Sequence, residues 1–211
     1  MFFAHSGSPD DQGDWQRLQD HLQETARRAA DFGRPLGLEK PAYLAGLHHD
    51  LGKYTRQFQR RLAGDDIRVD HSSAGAVEMM ARAEKLPAAG RIVLELVAYC
   101  IAGHHAGLPD RKNETAASLD RRLEADVPAL DPIWQQALAE ASQRWSEGLA
   151  PDLLRTIPPA DADFSLSVMA RMIFPVWWTR ISRIRRPSMT GWKAGRGTGT
   201  GRLCRSACPG F

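Results

Sequence analysis

With 211 residues, 43% of them hydrophobic, the chain is long enough for one sizeable core, with room for a small appendage. Three cysteines (Cys100, Cys204, Cys208) make no disulfide framework, no stretch nears the ~20 apolar residues of a membrane span, and no secretory signal opens the chain, so a reducing, cytoplasmic setting is expected. The net charge of +3 says nothing for a nucleic-acid surface on the folded part: 8 of the 28 Lys+Arg and none of the 25 Asp+Glu lie from Pro175 onward, which leaves residues 1–174 at −5.

Residues 1–13, with Gly7, Pro9 and Gly13, read as an irregular lead-in that carries His5 within Ala4-His5-Ser6, taken as a surface or capping histidine. Asp14 is a candidate N-cap for a first helix whose stripe is Trp15, Leu18, Leu22, Ala26 and Ala29. His21 lies beside that stripe, and Gly33 with Pro35 ends it. A second helix begins near Pro41 and runs through Tyr43, Leu44 and Leu47 into His48-His49-Asp50-Leu51-Gly52-Lys53. Tyr54 to Leu62 reads as a short basic helix whose arginines form a solvated face, with phosphate contact as the alternative.

After a loop at Gly64-Asp65-Asp66, Asp70-His71-Ser72-Ser73 leads into a helix of small residues, which Leu86-Pro87 ends. Ala88 to Ala102 is the most apolar stretch and is predicted to be the central core helix, with Cys100 as a buried hydrophobe. It runs into Gly103-His104-His105-Ala106-Gly107, where glycines suit a ligand loop by permitting close backbone approach and unusual dihedrals. Residues 114–124 and 131–147 are two further helices, with Leu119, Leu123, Ile133, Trp134, Leu138 and Trp145 facing inward. Asp161 to Phe174 is the last helix, with Asp161 and Asp163 as N-cap and first-turn acids. No strand pattern competes, so the fold class is all-α.

Adjacent His49 and Asp50 can offer an imidazole nitrogen and a carboxylate to one metal, and the second carboxylate oxygen can reach another. Gly52 is expected to take positive φ just after the pair and to turn Lys53 back towards the site. His48 would point about 100° away on a helix and is read as a structural neighbour. His21, His71, His104 and His105 all fall at apparent helix ends, which makes metal chemistry the leading reading.

From Pro175 the character changes: Trp177-Trp178, the Arg183 to Arg186 cluster and the Gly195 to Gly201 run show neither helical nor strand period. The chain is therefore divided into residues 1–174 and a basic, unstructured tail, 175–211. Read in a neighbouring frame, GC-rich codons for Pro175 onward can spell Leu-Val-Asp-Ala-Asp-Phe, which points to a single-nucleotide frameshift near Phe174. A flexible nucleic-acid-binding tail is the other reading.

His21-Leu22, His49-Asp50-Leu51-Gly52-Lys53, Asp70-His71-Ser72 and Gly103-His104-His105 resemble, in order, the motifs of the HD superfamily of metal phosphohydrolases. The doubled histidine and the opening Ala4-His5-Ser6 resemble the HD nuclease domain of the CRISPR-associated helicase-nuclease of type I systems, over about residues 4–174. The resemblance implies an all-α domain that cuts single-stranded DNA with two metal ions, joined to a helicase domain or subunit and recruited by an RNA-guided surveillance complex in antiviral defence. It implies that His21, His49 and Asp50 hold one ion, that Asp50, His71, His104 and His105 hold the other, and that Lys53 lies beside the scissile phosphate as a catalytic group with Asp50. It also implies a further aspartate ligand after the last helix, which this chain lacks as written and the neighbouring frame restores. Five imidazoles and one carboxylate favour Mn, Fe, Co, Ni or Zn over Mg or Ca. An HD phosphohydrolase acting on a nucleotide, or a catalytically impaired metal-binding remnant, is the alternative.

Overall fold

Apolar residues three and four positions apart shape most of this chain, and in the computed structural model they assemble an all-α bundle. The structure describes residues 1–8, 12–113, 118–146, 148–150, 154 and 157–184, with side chains omitted at 144–146 and 175–184. Helix α1 (Leu18–Gly33) buries Leu18, Leu22, Ala26 and Ala29 along one stripe. Gly37, at φ 67, turns the chain from a short 3-10 segment towards α2 (Glu39–His48). Every residue of α2 from Pro41 to His48 is buried. Gly46 is what lets α1 and α2 meet so closely, since a Cβ there would stand 2.9 Å from Ala26 Cα.

A 3-10 turn, Leu51–Tyr54, follows, and then α3 (Arg56–Leu62). Thr55 caps α3 by accepting the Phe58 N–H on its Oγ1 at 3.2 Å. Helices α4 (Ser73–Ala83) and α5 (Ala88–Gly103) pack on each other, and α5 buries Val93, Leu94, Val97 and Ile101. Short α6 (Leu119–Glu124), then α7 (Ile133–Ser146) and α8 (Ala162–Ile184), complete the bundle. The core is shared: α5 contributes its apolar face, but α2 touches α1, α5, α7 and α8 and is the more fully enclosed. The Cys100 thiol is buried against the Ala170 carbonyl, and burial pushes its pKa up.

Several expectations need correction. The lead-in is ordered as a two-stranded antiparallel sheet of β1 (Phe3–His5) and β2 (Gln16–Arg17), with a bulge between Phe3 and His5. Strands of two and three residues are too short to show alternation. Asp14 does not cap α1; its carboxylate accepts the Ser8 N–H at 2.9 Å, and the helix starts four residues later. Trp15 is buried off the helix, edge-on to Phe3, with its indole N–H on the Ser8 carbonyl. Ile133 is 45% exposed at the start of α7, so it does not face inward. Helix α8 continues past Phe174 to Ile184. The division at residue 175 rests on segments that mostly lie outside the described residues, namely 185–211 and the side chains of 175–184. No described helix is long and apolar enough to cross a membrane.

Candidate metal centre

The His-Asp pair sits where α2 gives way to the 3-10 turn. Fully buried Leu47 and Leu51 bracket it, each anchored by roughly 1.5–3 kcal/mol of apolar burial. Asp50, 4% exposed, lies at the meeting point of four chain segments. Its two oxygens face different groups. Oδ2 is 3.4 Å from His21 Nε2 and 3.1 Å from His49 Nε2. Oδ1 is 3.6 Å from His71 Nε2 and 3.5 Å from His104 Nε2. His105 joins the second group through its Nε2, 2.7 Å from that of His71. Two clusters result, His21-His49-Asp50 and Asp50-His71-His104-His105, each with donor atoms close enough to hold a metal ion.

Local chemistry brings these residues together. The α1–α2 contact at Gly46 delivers His21 to His49, whose Nε2 atoms are 3.3 Å apart. Gly52 does not adopt positive φ; a Cβ there would lie 2.6 Å from His71 Cα. Its lack of a side chain lets the His71 backbone descend onto the 3-10 turn. Asp70 then fixes the start of α4 by accepting the Ser72 and Ser73 N–H groups and both hydroxyls. That turn presents His71 to the cluster. Burial raises the Asp70 pKa, and these hydrogen bonds outweigh it, so the net shift is downward. At the end of α5 both glycine properties are used. A Cβ on Gly103 would crowd Leu108 Cα at 3.0 Å, and Gly107 takes φ 89.

The protonation pattern fits metal ligation. His49 Nδ1 donates to the Gly46 carbonyl at 2.8 Å and His104 Nδ1 to the Ile101 carbonyl at 2.7 Å, which leaves each Nε2 as the lone pair aimed at Asp50. Burial pushes His49 down to about 4, against the pull of Asp50. His105 falls to about 4 through burial and the neighbouring charges of His104 and His71, and burial lowers His71 as well. Burial would raise Asp50, but His49 and Lys53 beside it hold its carboxyl well below the usual range. Neutral imidazoles at His49, His71 and His105 beside an ionised carboxylate are the donors a divalent transition metal requires.

Lys53 turns towards the site, as its place after Asp50 suggested, and also makes a contact with β1 that its sequence context did not indicate. Its ammonium, 5% exposed in the residue as a whole, lies 2.8 Å from Asp50 Oδ2 and donates to the Ala4 carbonyl at 3.1 Å. The Phe58 ring covers it at 5.2 Å and also packs on His71. Gln59 accepts the Phe3 N–H and donates to the Phe3 and Lys53 carbonyls, stitching β1 to the turn. Nothing in the sequence marks Phe58 or Gln59 for this work, because their partners are distant in the chain. His5 stands edge-on to His21 with ring centroids 5.1 Å apart. His48 is fully buried behind the site, its Nδ1 on the Leu44 carbonyl and its pKa lowered to about 3 by burial. The α4 backbone closes over it at Gly75, where any Cβ would strike the His48 carbonyl oxygen.

A groove of about 430 Å³ leads from His71 and His105 past Lys53 to β1 and α3. A larger cavity, about 970 Å³, lies beside Asp70, Arg121 and Arg122, but no imidazole among the described residues lines it. The groove is an opening that reaches His71 and His105 among the clustered ligands.

No curated protein matches the chain. A family model described as Cas3, HD domain, matches residues 4–174, a span that holds every residue of both clusters. The chain belongs to this family of Cas3 HD domains, which are metal-dependent hydrolases.

Proposed function

We propose that the chain is a nuclease that hydrolyses the phosphodiester backbone of single-stranded DNA in a CRISPR system. The carrying observation is the division of Asp50 between two imidazole groups, Oδ2 towards His21 and His49, Oδ1 towards His71 and His104. On this reading His21, His49 and Asp50 hold one divalent transition-metal ion, and Asp50, His71, His104 and His105 hold a second. When bound, such a pair activates water and stabilises the attacking and leaving oxygens of a phosphodiester.

The chain's own residues supply the rest. Burial keeps the His49 and His71 imidazoles neutral and ready to ligate. Lys53 holds Asp50 ionised and oriented, and its place in the groove wall brings positive charge to where a phosphate would enter. The groove admits a strand from the side of His105, the one exposed ligand. A helicase domain or subunit that feeds this strand, and an RNA-guided surveillance complex that recruits it, belong to the same proposal.

The test is cleavage of a labelled single-stranded oligonucleotide against a panel of mononucleotides and cyclic nucleotides, with Mn²⁺ or Ni²⁺, together with a metal count on the purified chain. Cutting of DNA with two ions per chain supports the proposal. Turnover of a nucleotide alone makes the chain a nucleotide phosphohydrolase, and one ion or none without turnover makes it a remnant.

A further inference from the structure

We propose that Arg61 positions the substrate strand by taking a backbone phosphate adjacent to the one that lies at the metal centre. The inference rests on the nuclease reading and adds a binding contact to it.

Two independent observations converge. The groove that opens on His71 and His105 is walled on one side by α3, through Phe58, Arg61 and Leu62. In the register of α3, Phe58 points inward, 6% exposed, with its ring 5.2 Å from the His71 ring. Arg61 follows three residues later, so it sits on the same face, about 4.5 Å further along the axis. Its exposed guanidinium therefore stands one helical turn beyond the ring that backs a candidate ligand.

The surrounding charges single it out. Among the described residues no acidic side chain lines the groove, and its other cation, the Lys53 ammonium, is already engaged by Asp50. On the same helix Arg60 is turned to Asp65, with two contacts of 2.8 Å, while Arg56 is exposed outside the groove wall. A guanidinium offers a planar fork of donors that matches phosphate oxygens and stays charged at any working pH. A mononucleotide whose only phosphate sits at the metals leaves Arg61 without a partner; a strand does not. Arg61 would thus favour polymers over monomers.

The experiment is fluorescence anisotropy of a labelled twelve-residue oligothymidylate with the full chain in EDTA, from 50 to 200 mM NaCl. Wild type is compared with Arg61→Ala, Arg61→Lys and Arg56→Ala. Arg61→Ala is expected to weaken binding about fivefold at low salt and to reduce the salt slope by about 0.7, the contribution of one phosphate contact on a single strand. Arg61→Lys should restore the slope, and Arg56→Ala should leave it unchanged. The basic residues beyond Pro175 raise the slope equally in every variant, so the difference is the reading. An unchanged slope in Arg61→Ala, an equal loss in Arg56→Ala, or no binding by wild type overturns the inference. Cleavage by wild type with Mn²⁺ is scored separately: a chain that binds through Arg61 but does not cut refutes the nuclease reading alone.

Discussion

The Lys53 ammonium bridges two parts of the molecule that are far apart in sequence, standing 2.8 Å from Asp50 Oδ2 and 3.1 Å from the Ala4 carbonyl oxygen. It neutralises the buried carboxylate and at the same time fastens β1 over the site. Lys53→Met is therefore expected to strand the Asp50 charge and to cost the metal-free protein about 3 kcal/mol. Urea unfolding in EDTA measures this, and a loss below about 1 kcal/mol would show that the pair is not stabilising.

Asp50 is the one residue common to both clusters. Asp50→Ala should abolish metal-dependent cleavage and release metal from both groups. His104→Ala or His105→Ala should weaken retention in the second group alone, with helical circular dichroism nearly unchanged. Metal counts after desalting distinguish these outcomes, and robust cleavage by Asp50→Ala would end the shared-ligand assignment.

Gly52 offers a test of geometry without touching a ligand. In Gly52→Ala the new methyl group meets the His71 backbone, which must retreat from the turn. The expected result is a destabilisation of about 1–3 kcal/mol and loss of the second metal before the first. Thermal unfolding and stoichiometric metal titration read the two effects. Wild-type values for both would mean that the approach at 2.6 Å is easily relieved.

Acid should unfold the metal-free chain through its histidines. His49 and His105 titrate near 4 in the folded state, below the unfolded value of about 6.5. Between those limits the unfolded chain binds more protons, so stability rises with pH across this window and falls as pH drops from 6.5 towards 4. Denaturant midpoints in EDTA at a series of pH values test the sign, and a midpoint flat between pH 6.5 and 4 would contradict it.

The ending of the chain makes its own prediction. If the neighbouring frame is the native one, restoring it supplies the aspartate that the family resemblance implies as a further ligand beside His21, His49 and Asp50. The restored chain should then retain its first metal more tightly and cut single-stranded DNA faster than residues 1–211 at equal metal and salt. Equal occupancy and rates would remove the case for the frameshift.

Much of the bundle was legible because helices declare themselves locally: the stripes of α1 and α5 and the breaks at Pro35 and Pro87 are properties of adjacent residues. The histidines were legible by type and by their places at helix ends. What eluded sequence reasoning is tertiary. β1 pairs with two residues only, so it leaves no alternating pattern. Gly52 was read through the dihedral freedom of glycine, whereas the structure uses its small size against a backbone 19 positions away. The bond from Lys53 to the Ala4 carbonyl spans 49 residues and has no sequence signature. Ile133 looked like part of an apolar face but falls on the first exposed turn of α7.

The clustered donors come from α1, the end of α2, the approach to α4 and the end of α5, between residues 21 and 105. No single helix owns a site, so a chain that kept its helices but loosened their packing would already have scattered its donors. Bound metal is consequently a more sensitive gauge of nativeness than ellipticity: in a denaturant series the ions should escape while the helical signal still persists. A preparation judged sound by its spectrum alone could be inert, and its metal content would reveal why.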